Sequence, residues 1–252
     1  MREYGIGNLY GMMRQKILWT PAEIVPALWL DASDSDTSES GDVLTWDDIS
    51  GNGNSAVGMS SSFSPSVSTG ALGECIRFDS DVVSLTTEVT ARAVLFICDE
   101  LDVVYQDQNA TVVPICADAS DTSYNHIFIR SNDIDDYDIS IDGSASDSGT
   151  VYVDGESGVS GGNIDVGLSY DRLNAHMWLV VFDQDVDVGY IGRIKSSTTL
   201  YYLTGDVYGF VALTAVPSST EIDKLFGWAA HKWGLPAKLP SDHPYKSTPP
   251  AI

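Results

Sequence analysis

The chain has 252 residues, 43% of them hydrophobic and 19% charged, so it can bury a substantial core and is not a disordered polymer. Thirty-six acidic residues stand against 13 basic ones, giving a net charge of −23 and a pI near 4.1. A field of that sign repels nucleic-acid phosphate and anionic lipid, and no apolar run approaches the ~18 residues of a membrane span.

Met1–Thr20 carries three of the 13 basic residues, Arg2, Arg14 and Lys16, together with Tyr4, Tyr10, Met12 and Met13. Gly5, Gly7 and Gly11 weaken any helix there. Asn8, Gly11 and Arg14 interrupt the apolar stretch of ~7–15 residues that a secretory signal requires, which predicts a protein that folds in the cytoplasm of the cell that makes it. The segment reads either as a frayed terminus or as a basic, sticky arm for an acidic partner or sister subunit, with Arg2, Tyr4, Tyr10, Arg14 and Lys16 as its contacts.

Short apolar runs follow, each bounded by Gly, Asp, Asn or Ser. Strands are predicted at Ala27–Leu30, Val43–Trp46, Cys75–Phe78, Ala93–Cys98, Thr111–Cys116 and His126–Arg130. Others are predicted at Tyr137–Ile141, Thr150–Val153, Met177–Phe182, Val186–Ile191 and Tyr208–Ala215. Asn52-Gly53 and Asp154-Gly155 suit tight hairpins, and Asp183-Gln184-Asp185 reads as the turn between two strands. Across Asp136–Asp142 strict alternation puts Tyr137, Ile139 and Ile141 on one face and Asp136, Asp138, Ser140 and Asp142 on the other, a half-buried strand with an acidic outer side. Many short strands with turn residues between them indicate a sandwich or barrel.

One helix is expected near the end. Ser218-Ser219-Thr220-Glu221 fits a capping box, Ile222, Leu225, Phe226, Ala229 and Trp233 recur at helical spacing, and Gly234 is placed to stop it. The tail beyond holds Pro236, Pro240, Pro244, Pro249 and Pro250 and is expected to be extended. Cys75, Cys98 and Cys116 lack metal spacing and read as buried free thiols, and the four scattered histidines suggest no zinc site.

Two stretches carry a resemblance. The first is Ala27-Leu28-Trp29-Leu30-Asp31-Ala32-Ser33-Asp34 with Val43-Leu44-Thr45-Trp46-Asp47-Asp48-Ile49-Ser50-Gly51-Asn52-Gly53-Asn54. The second is Glu221-Ile222, Gly227–Leu235 and Leu239-Pro240-Ser241-Asp242-His243-Pro244-Tyr245. Together they resemble the ends of concanavalin A-like, laminin-G-type jelly-roll modules of phages and environmental bacteria. The resemblance spans roughly residues 26–245; its middle is matched only by strand rhythm. It implies an all-β, two-sheet antiparallel jelly-roll sandwich with one C-terminal helix. An N-terminal docking arm over residues 1–22 would precede the jelly-roll domain and its Pro-rich tail over 23–252. Such modules are mostly non-catalytic sugar-binding, adhesive or structural units, some with calcium. Trp29, Trp46 and Trp233 read as apolar anchors, Asp47, Asp48 and Ser50 as bonding turn backbone, and His243-Pro244-Tyr245 as pinning the tail.

Hydrolases of this fold place their carboxylates on a Glu-x-Asp-x-x-Glu strand, and that string is absent; Glu221-Ile222-Asp223 opens a helix, and Asp136 and Asp138 are two among many aspartates. No resident cofactor is required by this reading. Calcium suits the Asp-rich turns: Asp133, Asp135 and Asp136; Asp47, Asp48, Asn52 and Asn54; or Asp183, Asp185 and Asp187, the last without the glycine of an EF-hand because Val188 takes its place. Plain solvation is the alternative for each. Tyr124, Tyr170, Tyr201 and Tyr202 lie in polar or turn-like segments and are the candidate glycan platforms, against half-buried packing as the plain alternative. The acidity by itself also suits hydration in saline water.

Missing signal, adhesive-type sandwich and basic arm are joined by one expectation: a non-enzymatic phage virion protein on the particle surface. It would be made in the host cytoplasm, attach through its arm to other virion proteins, sit there as a homo-oligomer and touch surface glycans, but neither nucleic acid nor membrane. A bacterial carbohydrate-binding adhesion module is the second reading and a glycoside hydrolase the third.

Overall fold

A computed structural model describes residues 17–34, 37–39, 44–102, 106–107, 110–119, 126–133, 136–142, 149–156, 158–161, 163–165, 174–196 and 199–252. A 3-10 turn, Pro21–Ile24, leads into β1 (Leu28–Asp31), β2 (Ser38–Glu39), β3 (Leu44–Trp46), β4 (Ala56–Gly58), β5 (Ser66–Gly70), β6 (Gly73–Asp81) and the 20-residue β7 (Val83–Asp102). Next come β8 (Gln106–Asp107), β9 (Ala110–Ala117), β10 (His126–Asp133), β11 (Asp136–Asp142), β12 (Gly149–Val153), β13 (Val159–Gly161) and β14 (Asn163–Asp165). The long β15 (His176–Ile191), β16 (Arg193–Ser196) and the long β17 (Thr199–Leu213) precede the one α-helix of the described residues, α1 (Ser219–Lys232). The described residues are thus mostly strand, in one large antiparallel sheet with a single α-helix. No described helix is long and apolar enough to cross a membrane.

The three long strands form the axis. β7 pairs with β15 from His176↔Cys98 to Ile191↔Val83, and with β17 from Thr204↔Asp102 to Leu213↔Ala93. β1 flanks β17, with Leu28 opposite Ala212, and β12 flanks β15, with Thr150 opposite Val181. Side chains alternate between the faces of these strands. Ala93, Leu95 and Ile97 join Met177, Leu179, Val211 and Leu213 in a cluster with Leu225, Phe226 and Ala229 of α1. Val94, Phe96 and Cys98 join Trp178, Val180, Phe182, Phe210 and Ala212 in a second cluster with Trp46, Phe78 and Val188. Apolar contacts cover both faces here, which is why Ala93–Cys98 and Met177–Phe182 read as unbroken apolar runs rather than alternating ones.

The hairpin expected at Asp183-Gln184-Asp185 does not form; β15 runs straight through it. Val181 faces Ala93 and Val186 faces Ala91, so four residues of β15 oppose Arg92 alone. The Arg92 guanidinium donates to the carbonyls of Phe182 (3.2 Å) and Asp183 (3.1 Å), and its Nε lies 3.8 Å from the Asp185 carboxylate. A bulge leaves polar residues unpaired just as a turn does, so the two share a sequence signature. Across this bulge the core-facing positions of β7 change parity: Val83, Leu85, Val89 and Ala91 enter the same cluster as Val94, Phe96 and Cys98.

The helix forms where its signals stand. Ser218 Oγ accepts from the Glu221 amide and the Glu221 carboxylate accepts from the Ser218 amide, a complete capping box. At the other end Gly234 has φ +72° and the Leu235 amide reaches back to the Ala230 carbonyl, a Schellman stop. The two ends of the described chain also meet. Leu18 bridges Ala251, the Trp19 amide donates to Pro250 O, and the Ile252 amide donates to Ile17 O. Trp19, ahead of the boundary expected at residues 22/23, is buried in the helix-side cluster.

Candidate functional site

The loop 47–55 between β3 and β4 bridges β1 only at Leu30↔Asp48, where the Ile49 amide donates to Trp29 O, and side chains satisfy several of its other amides. Asp48 Oδ1 accepts from the amides of Trp29 (3.0 Å) and Ser50 (2.9 Å), and its Oδ2 accepts from the amide of Asn54 (2.9 Å). The Asn52 amide group donates to Pro26 O and Ala27 O, that of Asn54 donates to Ala27 O, and Asp47 accepts from Ser55 Oγ at 2.8 Å. Gly51 (φ +89°) and Gly53 (φ +74°) turn the chain so that this can happen; the Asn52-Gly53 step is part of a nine-residue loop rather than a two-residue hairpin. Of the four residues expected as calcium ligands, Asp48, Asn52 and Asn54 clasp the backbone before and within β1, while Asp47 holds Ser55. Three amides occupy most of the acceptor capacity of the Asp48 carboxylate.

β1 in turn meets α1. The Trp29 and Trp228 rings pack edge-on with centroids 5.6 Å apart, and Trp228 packs on Trp233 at 5.2 Å. Lys232 Nζ lies 2.5 Å from a carboxylate oxygen of the buried Asp31 and 3.2 Å from Ser33 Oγ. The tail closes the junction: His231 Nε2 donates to Tyr245 O (2.9 Å), and the Tyr245 side chain lies on Gly227, where any Cβ would stand 2.5 Å from it. Opening and closing motifs, some 200 residues apart, are therefore one contiguous structure.

Two buried polar clusters escaped the sequence reading. In the type I′ turn Asp154-Gly155 (φ +53° and +82°), the Asp154 carboxylate accepts from His176 Nδ1 (2.7 Å) and from the Met177 amide (2.9 Å). On β6 and β17, Arg77 binds Asp206 through two bonds of 2.8 and 2.7 Å, beside Cys75 and Tyr208. Burial, reinforced by the Asp206 carboxylate, pushes the Cys75 thiol up to about 12, and burial pushes the Tyr208 hydroxyl up to about 12. Both keep their protons at neutral pH, so this cluster offers no thiolate nucleophile. The signal available in the sequence was a charge inside an apolar run, Arg77 within Cys75–Phe78 of β6 and Asp206, the lone charge of β17. All three cysteines are buried.

The remaining candidates are scattered. Tyr202 stacks on Phe63 (5.2 Å, 23° between planes), while Tyr201 packs against Ala117 and Ile194. Asp133 and Asp136 are backbone partners at the turn end of the β10–β11 pair, with Asp138 opposite Arg130. Asp187 accepts from Thr90 Oγ1 (2.7 Å), and Glu221 of the Glu221-Ile222-Asp223 string is held by the cap. Asp135, Tyr124, Tyr170 and the arm residues Arg2, Tyr4, Tyr10, Arg14 and Lys16 lie outside the described residues. Among the described residues no three His, Cys, Asp or Glu side chains converge as a metal site. No protein-family model matches this chain, and no curated protein matches it.

Proposed function

We propose that this protein is a non-enzymatic structural component of a phage particle, an acidic module displayed on the virion and attached through its N-terminal arm. In this reading the sheet is the two-layer, concanavalin A-like jelly roll that the end motifs resemble, with one layer backed by α1. The observation that carries it is the seam at the termini: Ile17–Trp19 laced to Pro250–Ile252, with Trp19 in the core, gives a basic arm a rigid root on a body of opposite charge. The motif residues support a structural role, since Asp31, Asp48, Asn52, Asn54 and Lys232 each hold backbone or each other.

The test is mass spectrometry of purified particles from the source culture, with the chain expected in stoichiometric amount. A variant lacking residues 1–16 is expected to fold and to be missing from particles; its normal incorporation would refute attachment by the arm. The Phe63–Tyr202 stack favours a second reading, a carbohydrate-binding module. That reading predicts saturable binding on a glycan array, lost in Tyr202→Ala, and recovery of the chain from the cell surface or medium instead of particles.

A further inference from the structure

His243, on the tail beyond α1, is buried, only 7% exposed. Its Nδ1 accepts the Tyr245 amide at 3.2 Å, an assignment that puts the ring proton on Nε2. Among the described residues Nε2 has no hydrogen-bond partner, and a carboxylate oxygen of Asp223 on α1 lies 3.9 Å away. Gly155 lies against the ring, so close that a Cβ there would stand 3.2 Å from Cδ2. A doubly protonated ring has no acceptor. In this setting its Nδ1–H would point at the Tyr245 N–H, donor against donor.

We propose that residues 234–252 form a strap released by acid, with His243 as the trigger. The groups around the ring set the direction. Burial holds the imidazole below its ordinary value of 6.5; Asp223 on α1 and Asp242 on the tail oppose this, and Lys246 adds to it. The 154–155 turn contributes only backbone and Gly155, because the Asp154 carboxylate is engaged by His176 and the Met177 amide. A folded state that favours the neutral ring has this stabilisation in full above 6.5 and loses it as pH falls below. The strap carries Tyr245 on Gly227 and His231, and the Pro250–Ile252 side of the seam with Ile17–Trp19. Its release therefore uncovers a face of α1 and loosens the root of the arm. This inference does not depend on where the protein is displayed.

The experiment is hydrogen exchange on the full chain from pH 7.5 to 4.5, corrected for intrinsic rates. Protection of the Tyr245 and Lys246 amides is expected to fall about tenfold or more below 6.5, while amides of β7 and β15 stay protected. His243→Asn places a non-titrating oxygen near Nδ1 and is expected to keep the strap protected throughout. Asp223→Asn removes a carboxylate that favours the charged ring and is expected to move release to lower pH. A strap that stays protected to pH 4.5, or one that opens only together with β7 and β15, overturns the proposal. So does release in His243→Asn over the wild-type range. Should that variant fail to fold at pH 7.5, an unchanged release midpoint in Asp223→Asn overturns it equally.

Discussion

Asp48 holds three amides with two oxygens, and the loop it organises positions β1. Asp48→Ala leaves those donors without a partner in a half-buried setting, and the expected cost is about 3 kcal/mol, read as a lower urea midpoint at unchanged slope. Asp48→Asn keeps one acceptor oxygen and should lose less. This residue was legible as a turn-bonding aspartate because its partners lie within a few positions, at Ser50 and Asn54. The Arg77–Asp206 pair was not, because its partners are 129 positions apart and only the pairing of β6 with β17 brings them together. The same holds for Asp154 and His176: each is unremarkable in its own segment, and the β12–β15 pairing makes them a buried couple.

At the scale of elements, α1 is the best-announced part of the molecule, since cap, apolar spacing and stop are all local. Ser218→Ala removes the acceptor for the Glu221 amide and is expected to destabilise the protein by about 1 kcal/mol in thermal or urea unfolding, with Ser218→Asp close to wild type. The same variant raises the Glu221 carboxyl, which the Ser218 side chain and amide hold below its ordinary range. The strands were less legible. Most apolar runs are strands, but the first half of β7, with Thr86, Thr87, Glu88 and Thr90 along it, carries too few apolar residues to announce itself. β15 was divided in two because the bulge at 182–185 is polar, and only the Arg92 contacts across to β7 reveal a continuous strand.

For the whole molecule, the ends decide where the folded body begins. Removing residues 1–16 is expected to leave the unfolding midpoint unchanged. Removing 1–20 also takes Trp19 from the core and its bond to Pro250, and is expected to cost about 3–5 kcal/mol, checked by comparing the two truncations in one urea series. By itself the sequence determined the acidic character, the strand-rich class, the C-terminal helix with its caps, the buried thiols and the Asx-bonded loop. Each of these rests on composition, on periodicity, or on partners a few residues apart. Tertiary structure alone decided which strands pair, that Lys232 reaches Asp31, that the termini share a seam, and that His243 is closed in between Gly155 and Asp223. These contacts join residues far apart in the chain, and no local pattern encodes a partner that only sheet pairing and the packing of the helix and tail bring near.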